Sequence, residues 1–326
     1  MSLIKAENLS KTFKIYSQGE GIRGYLKSFV KRDYEEVHAV EGLNLEIDSG
    51  EMIGYIGSNG AGKSTTVKML TGILEPSSGE IEVDKRDPHK HRKKNAMNIG
   101  VVFGQKTQLW WDLPVKESFK LLKEIYEVSD KAYDERIEEF NEVLQLDEFW
   151  EQPVRKLSLG QKMRCELAAA FLHHPKIVYL DEPTIGLDVA VKERIRDFIR
   201  KMNENENITV MLTTHDIGDI EDLCKRIVVL DEGKKIYDGS LDKLVNRFSS
   251  RRLVMQVERP EDFELNVDGV KEIKNTDDGL EVVFDREVIS ASDLMRIILE
   301  DYEVQDFQIR EPDIEEVVKK VYNEGI

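Results

Sequence analysis

The sequence predicts an α/β chain built around a parallel sheet, followed by a smaller α+β unit, and three observations carry that prediction. Apolar runs at Met52-Ile53-Gly54-Tyr55-Ile56, Ile177-Val178-Tyr179-Leu180, Thr209-Val210-Met211-Leu212-Thr213 and Ile227-Val228-Val229-Leu230 are short and nearly unbroken, as in strands buried on both faces. Helical spacing intervenes, most clearly from Val189 to Met202, where Val191, Ile195, Phe198 and Met202 fall on one face. After Gly239 the pattern changes to alternation, with Leu253, Met255 and Val257, then Leu280, Val282 and Phe284, then Phe307 and Ile309 on one side of half-exposed strands.

Taken in order, Leu3 to Leu9 and Leu43 to Ile47 alternate like strands, and the polar, aromatic-dotted stretch from Tyr16 to Val37 between them reads as an insertion. Helical periodicity follows from Lys116 to Val128 and from Asp130 to Leu146, where Tyr133, Ile137, Phe140 and Leu144 share a face expected to be core. The chain is expected to divide into residues 1–239 and an accessory α+β domain of residues 240–326. Helices are expected there near Ser290 to Asp301 and Asp313 to Tyr322, the second with a core stripe of Ile314, Val317, Val318 and Val321. No catalytic chemistry is visible in that domain.

Composition narrows the function classes. With 326 residues, 40% hydrophobic and 34% charged, the chain can bury a full core in two domains. No run approaches the roughly 18 apolar residues of a membrane span, and the start Met1-Ser2-Leu3-Ile4-Lys5-Ala6 lacks the apolar core of a signal peptide. A soluble chain is expected, with any membrane role exercised through a partner. A net charge of −17 opposes non-specific nucleic-acid binding, which needs a cationic field. The basic run from Lys85 to Lys94 is the local exception and reads as a solvated surface. Cys165 and Cys224 are too few for a disulfide framework or a zinc site, in keeping with a reducing cytosol.

The most informative feature is Gly57-Ser58-Asn59-Gly60-Ala61-Gly62-Lys63-Ser64-Thr65, which matches G-x-x-x-x-G-K-[ST] between a strand and a helix. Glycines let the backbone curl until successive N–H groups and a helix N-terminus converge on phosphate oxygens. Lys63 then reaches the β- and γ-phosphates, and the Ser64 hydroxyl ligates Mg²⁺. Further on, Asp181 and Glu182 end a buried strand. An acid there is placed to hold Mg²⁺, and its neighbour to polarise an attacking water. The fold class is thereby sharpened to a P-loop NTPase.

Between these motifs, Lys156-Leu157-Ser158-Leu159-Gly160-Gln161 resembles the LSGGQ signature of ABC ATPases, with Leu159 in place of the middle glycine. Gln105, in Val101-Val102-Phe103-Gly104-Gln105, is similar to the Q-loop glutamine, although Gln108 lies in the same loop. Gly186-Leu187-Asp188 is similar to the D-loop, and His215, in Thr213-Thr214-His215-Asp216, to the switch histidine. In order and spacing these motifs match ABC nucleotide-binding domains over residues 1 to about 239.

The resemblance implies ATP and Mg²⁺ as ligands and a helical signature subdomain over about residues 106–172. It implies Lys63, Glu182 and His215 as catalytic groups, with Ser64, Gln105 and Asp181 around the metal. Nucleotide contacts are expected from Ser58, Asn59, Gly60, Ala61, Gly62, Lys63, Ser64, Thr65, Gln105, Ser158, Gly160, Gln161 and Asp188. The adenine is expected on Phe13, with Tyr16 the alternative. A phosphate loop leaves the γ-phosphate open, and in ABC proteins the signature of a second subunit closes it, so a two-fold homodimer around two ATP molecules is expected.

What the ATPase drives is indicated by Trp110 and Trp111, in Leu109-Trp110-Trp111-Asp112-Leu113-Pro114-Val115. In ABC transporters the segment after the Q-loop receives a membrane subunit, and paired indoles suit such a contact, while packing inside the helical subdomain is the plainer alternative. This string and the added C-terminal domain resemble ATPase subunits of bacterial type-2 exporters, and Gly24 to Arg32 resembles the ATPases of polysaccharide exporters. An exporter subunit on the cytoplasmic face, bound through its permease, is the expected function. The alternative, a non-transport ABC ATPase acting on DNA or ribosomes, usually brings coiled-coil insertions or duplicated units, and neither pattern is visible here.

Overall fold

The computed structural model describes residues 2–16, 34–104, 106–247, 250–257, 260, 263–276, 278–310, 317 and 321. The chain forms two compact units, Met1–Asp238 and Gly239–Ile326.

In the first unit the chain runs β1 (Ser2–Tyr16), β2 (Tyr34–Asp48), β3 (Met52–Gly57), α1 (Lys63–Leu70), β4 (Ser78–Val83), α2 (Arg92–Ala96) and β5 (Ile99–Phe103). It continues through α3 (Val115–Ile125), α4 (Asp130–Leu144), α5 (Leu159–Phe171), β6 (Ile177–Asp181), α6 (Val189–Glu206), β7 (Thr209–Thr213), α7 (Ile217–Leu223), β8 (Arg226–Asp231) and β9 (Lys234–Ser240). Two sheets result. An antiparallel sheet has the order β2-β1-β4, and a second sheet has the order β5-β6-β7-β3-β8-β9, with β5 to β8 and β3 paired in parallel. The strands paired in parallel are separated along the chain by helices, as parallel pairing requires, whereas β8 and β9 are joined by a turn at Glu232 and Gly233.

The parallel strands are apolar because both faces are covered. Ile177, Val178 and Tyr179 in β6, Val210 and Met211 in β7, and Ile227, Val228 and Val229 in β8 are all fully buried. Each such side chain contributes roughly 1.5–3 kcal/mol when removed from water. Around the helices, Phe198 of α6 meets Phe140 of α4 and Phe171 of α5 edge-on, with centroids 5.2 Å apart in both pairs. Local signals set the helix ends. Ser129 caps α4 by accepting from the Ala132 N–H, and Gln145 stops it with a left-handed φ of 50°. Asp188 caps α6 by accepting from the Val191 N–H.

The first hairpin departs from expectation. Tyr16 and residues 34–37, read as part of an insertion, are strand, with Phe13 opposite Val37 and Tyr16 opposite Tyr34. Backbone ladder hydrogen bonds need no apolar pattern, so the exposed end of β2 carries no sequence signature. Residues 17–33 lie outside the described residues. The strands β4, β5 and β9, and a further strand at Val270–Thr276, were not foreseen, being short or mostly exposed.

In the second unit α8 (Leu241–Arg247) precedes β10 (Ser250–Val257), β11 (Val270–Thr276), β12 (Gly279–Asp285), α9 (Ala291–Asp301) and β13 (Val304–Arg310). The strands form an antiparallel sheet in the order β11-β12-β10-β13. One face packs Leu253, Met255, Leu280, Val282 and Phe284 in a common core with Leu294, Met295 and Ile298 of α9. Of the last expected stripe, Val317 and Val321 are buried, while Ile314 and Val318 lie outside the described residues.

Candidate functional site

The loop between β3 and α1 has the backbone that its sequence demands. Gly60 and Gly62 take φ of 87° and 100°, a region costly for any side chain. Space excludes one at Gly62 as well, since a Cβ there would lie 2.3 Å from the Ala39 carbonyl oxygen. Helix α1 has no side-chain cap and no acid in its first turn, which leaves its N–H groups free for an anion. Ser58, Asn59 and Gly60 are exposed, whereas Ala61, Gly62 and Lys63 are buried and Ser64 and Thr65 half-buried.

Lys63 donates to the carbonyls of Gly57 at 2.5 Å and Ser58 at 3.1 Å, so its ammonium is folded back over the loop. Burial pulls its pKa below the usual lysine value, against the opposing charges of Glu182 and Asp181. A desolvated ammonium of this kind gains from an added anion.

The ends of β6 and β7 bring the acids to this loop. Ser64 Oγ donates to Asp181 Oδ2 at 3.1 Å, and Thr213 Oγ1 to Asp181 Oδ1 at 2.5 Å. A hydroxyl and a carboxylate side by side are hard oxygen donors of the kind Mg²⁺ takes. Next to Asp181, Glu182 holds a φ of 55°, rare for a residue with a side chain, and its N–H donates to the Thr213 carbonyl at 2.8 Å. His215 Nε2 lies 3.0 Å from Glu182 Oε1 and 3.4 Å from Lys63 Nζ. Five residues separated by up to 152 positions, Lys63, Ser64, Asp181, Glu182 and His215, thus converge at the carboxyl ends of β3, β6 and β7, where open α/β sheets bind ligands.

Gln105 lies outside the described residues. Its neighbour Gly104 donates its N–H to the Asp181 carbonyl at 3.0 Å, so the loop passes the site. Gln108 is occupied elsewhere. Its N–H donates to Glu166 Oε2 at 3.2 Å and its side-chain amide to the Glu166 carbonyl at 3.1 Å.

Ser158 and Gln161 form a capping box at the start of α5, with the Ser158 N–H donating to Gln161 Oε1 at 2.9 Å and the Gln161 N–H to Ser158 Oγ at 3.2 Å. The sequence reading missed this role, for which the S-x-x-Q spacing is the available signal. Gly160 faces Val191 and Leu187, and Leu159 faces Gly186, so the signature and the Asp188 turn pack together. Among the described residues no hydrogen bond or ion pair links Ser158, Gly160, Gln161 or Asp188 to the Lys63 cluster.

Phe13 is 38% exposed on the hairpin whose Ala39 touches Gly62, with Lys11 Nζ 5.4 Å from its ring centroid. The Tyr16 side chain lies outside the described residues. Trp110 and Trp111 are 38% and 53% exposed, so neither is a core residue, and Lys162 Nζ sits 5.6 Å from the Trp111 ring.

Comparison with known proteins agrees with this geometry. Residues 40–185 match the family model described as ABC transporter. The ABC transporter ATP-binding protein NatA of Bacillus subtilis is 33% identical over 208 residues, 64% of this chain and 84% of that protein. The methionine import ATP-binding protein MetN of Halalkalibacterium halodurans is 32% identical over 250 residues, 74% of this chain and 72% of that protein. The dimeric post-hydrolysis structure of the ATP-binding cassette MJ0796, bound to ADP and Pi, superposes with a TM-score of 0.61 at 29% identity, covering 73% of this chain and 98% of that one. With its phosphate loop, strand-end acids and histidine assembled in one place, the chain belongs to the ABC transporter family as one of its ATP-binding proteins.

Proposed function

We propose that this ATP-binding subunit powers export, hydrolysing ATP at the Lys63, Ser64, Asp181, Glu182 and His215 cluster while paired with a second copy and with membrane permease subunits. The observation that carries the reading is the convergence of those five side chains beside an uncapped helix N-terminus.

In this reading the N–H groups of residues 58–65 and the Lys63 ammonium hold the β- and γ-phosphates. Ser64 and Asp181, with Gln105, hold Mg²⁺, which supplies positive charge opposite the phosphate oxygens. Glu182 orients and deprotonates the attacking water, and His215, whose Nε2 lies 3.0 Å from Glu182 Oε1, positions that carboxylate and the γ-phosphate. Phe13 stacks on the adenine. Ser158 and Gly160 of the partner copy close the γ-phosphate side, which explains why the signature stands apart from the cluster within one chain. Asp188 belongs to the same dimer contact.

Exposed Trp110 and Trp111 receive the permease. No helix among the described residues is long and apolar enough to cross a membrane, so attachment to the cytoplasmic face runs through that partner. The export direction rests on the Trp-Trp string and the second unit.

The test is Mg²⁺-dependent ATP hydrolysis by the purified chain, with transport by the chain and its co-purified permease in vesicles of known orientation. Lys63→Ala is expected to weaken ATP binding by removing the charge opposite the phosphates. Unchanged affinity rejects the phosphate role, and uptake in place of export rejects the direction.

A further inference from the structure

Behind the ATP site lies a buried carboxylate that the reaction does not touch. Asp219 of α7 is completely buried. Its Oδ2 accepts from the hydroxyls of Thr184 and of Thr214, the latter at 3.0 Å, and its Oδ1 accepts from Arg196 Nε at 2.7 Å. Each donor belongs to a different segment of the site. Thr184 sits two residues after Glu182, Thr214 immediately precedes His215, and Arg196 lies in α6, the helix capped by Asp188.

The run Thr213-Thr214-His215 makes the arrangement plain. Thr213 bonds to Asp181, Thr214 to Asp219 and His215 to Glu182, so three consecutive side chains each engage a different acid. Two of those acids face the nucleotide site and the third faces the interior. Glu182 also holds a left-handed φ of 55°, and a conformation of that kind persists only where its surroundings over-determine it. Thr184, fixed on Asp219, anchors the chain two residues beyond. Two hydroxyl donors and a guanidinium surround the carboxylate and together meet the hydrogen-bonding demand of a buried polar group.

We propose that Asp219 is a positioning residue for hydrolysis. It pins the loop carrying Glu182 and the loop carrying His215 to one another, and through Arg196 to the Asp188 helix, so that the 3.0 Å Glu182–His215 contact is preset. The proposal rests on the catalytic roles given to Glu182 and His215 above. Asparagine at this position keeps the volume but places an amide donor where hydroxyl and guanidinium donors already point.

The test compares wild type, Glu182→Gln, Asp219→Asn and Asp219→Glu for ATP affinity and for kcat, well below the melting temperature of each. Asp219→Asn is expected to lower kcat about tenfold to a hundredfold, the scale of an ångström-sized misplacement of catalytic groups, with ATP affinity within about twofold of wild type. Asp219→Glu, which keeps the charge, is expected to recover part of that loss. A folded Asp219→Asn with wild-type kcat overturns the proposal, as does a parallel loss of ATP affinity and kcat, which marks a merely structural role. If Asp219→Asn does not fold, Thr184→Val decides, because it removes one donor and leaves the others. Its kcat must fall at unchanged ATP affinity, and a wild-type kcat overturns the proposal. If Glu182→Gln turns over ATP like wild type, the assignment of the site itself fails, a result distinct from failure of the Asp219 variants alone.

Discussion

The two units use sheets in opposite ways. In the first, β6, β7 and β8 are buried along nearly their whole length on both faces, so polar chemistry is confined to the strand ends, and the five-residue cluster lies there. In the second, β12 alternates buried and half-exposed residues, with one face on α9 and the other open. A two-sided sheet isolates a few strand-end side chains in a desolvated and rigid setting, where a carboxylate and an imidazole can be held 3.0 Å apart. A one-sided sheet offers a broad surface instead. The contrast explains why the nucleotide chemistry of this chain is concentrated in its first unit.

The comparison can be broken most forcefully in the two cores. Phe198→Ala removes the ring that joins α4, α5 and α6 and is expected to destabilise the first unit by about 3–5 kcal/mol. Phe284→Ala is expected to destabilise the second unit on a similar scale while ATP turnover persists, because each unit holds its own core. Denaturation followed by tryptophan fluorescence separates the two, since Trp110, Trp111 and Trp150 all lie in the first unit. Loss of ATPase activity in a folded Phe284→Ala variant would show that the units are not independent.

A smaller effect concerns the exposed indoles. Trp110→Ala or Trp111→Ala is expected to spare basal hydrolysis but weaken permease co-purification more than tenfold, at roughly 2 kcal/mol for an aromatic anchor. Normal co-purification by both variants removes the docking role.

Of comparable size, but spread over two pH units, is the response to acid. Burial lowers the His173 pKa to about 4, and its ring stacks on Tyr126 with centroids 3.9 Å apart. The unfolded chain binds that proton at a higher pH than the folded one, so the group opposes folding increasingly as pH falls from about 6.5 towards 4. Between pH 7 and pH 5 the expected loss is about 2 kcal/mol, all of it in the first unit, because residues 239–326 contain no histidine. His173→Phe keeps an aromatic ring at the stack and should flatten the pH dependence of the fluorescence-detected transition. An unchanged slope would locate the acid sensitivity elsewhere.

The sequence was most legible where an element's purpose was local. The strand, glycine loop and helix at Met52–Leu70 are forced by φ and by space at Gly62, and the apolar runs of β6 to β8 announce double burial. Pairings between distant segments outside the recognised motifs were not legible. Asp219 reads as one more charge in Asp216-Ile217-Gly218-Asp219, and only the fold turns it inward to Thr184 and Arg196. Gln161 was read only as a nucleotide contact, and its local role in the capping box with Ser158 was missed although the S-x-x-Q spacing carries that signal. The outer end of the first hairpin escaped notice because its cross-strand contacts, Lys14 with Glu36 and with the Tyr34 ring, are polar and exposed and leave no apolar alternation.

The central claim is that Glu182, set between Asp181 and His215, is the base of an ATPase completed by a second copy. The most direct measurement takes Glu182→Gln and records its ATP turnover together with its mass in solution, with and without ATP. The amide preserves shape but cannot accept the proton, so turnover is expected to fall roughly 10²–10⁴-fold while ATP stays bound and the protein shifts to a dimer. Wild-type turnover, or an ATP-loaded variant that stays monomeric, would contradict the account.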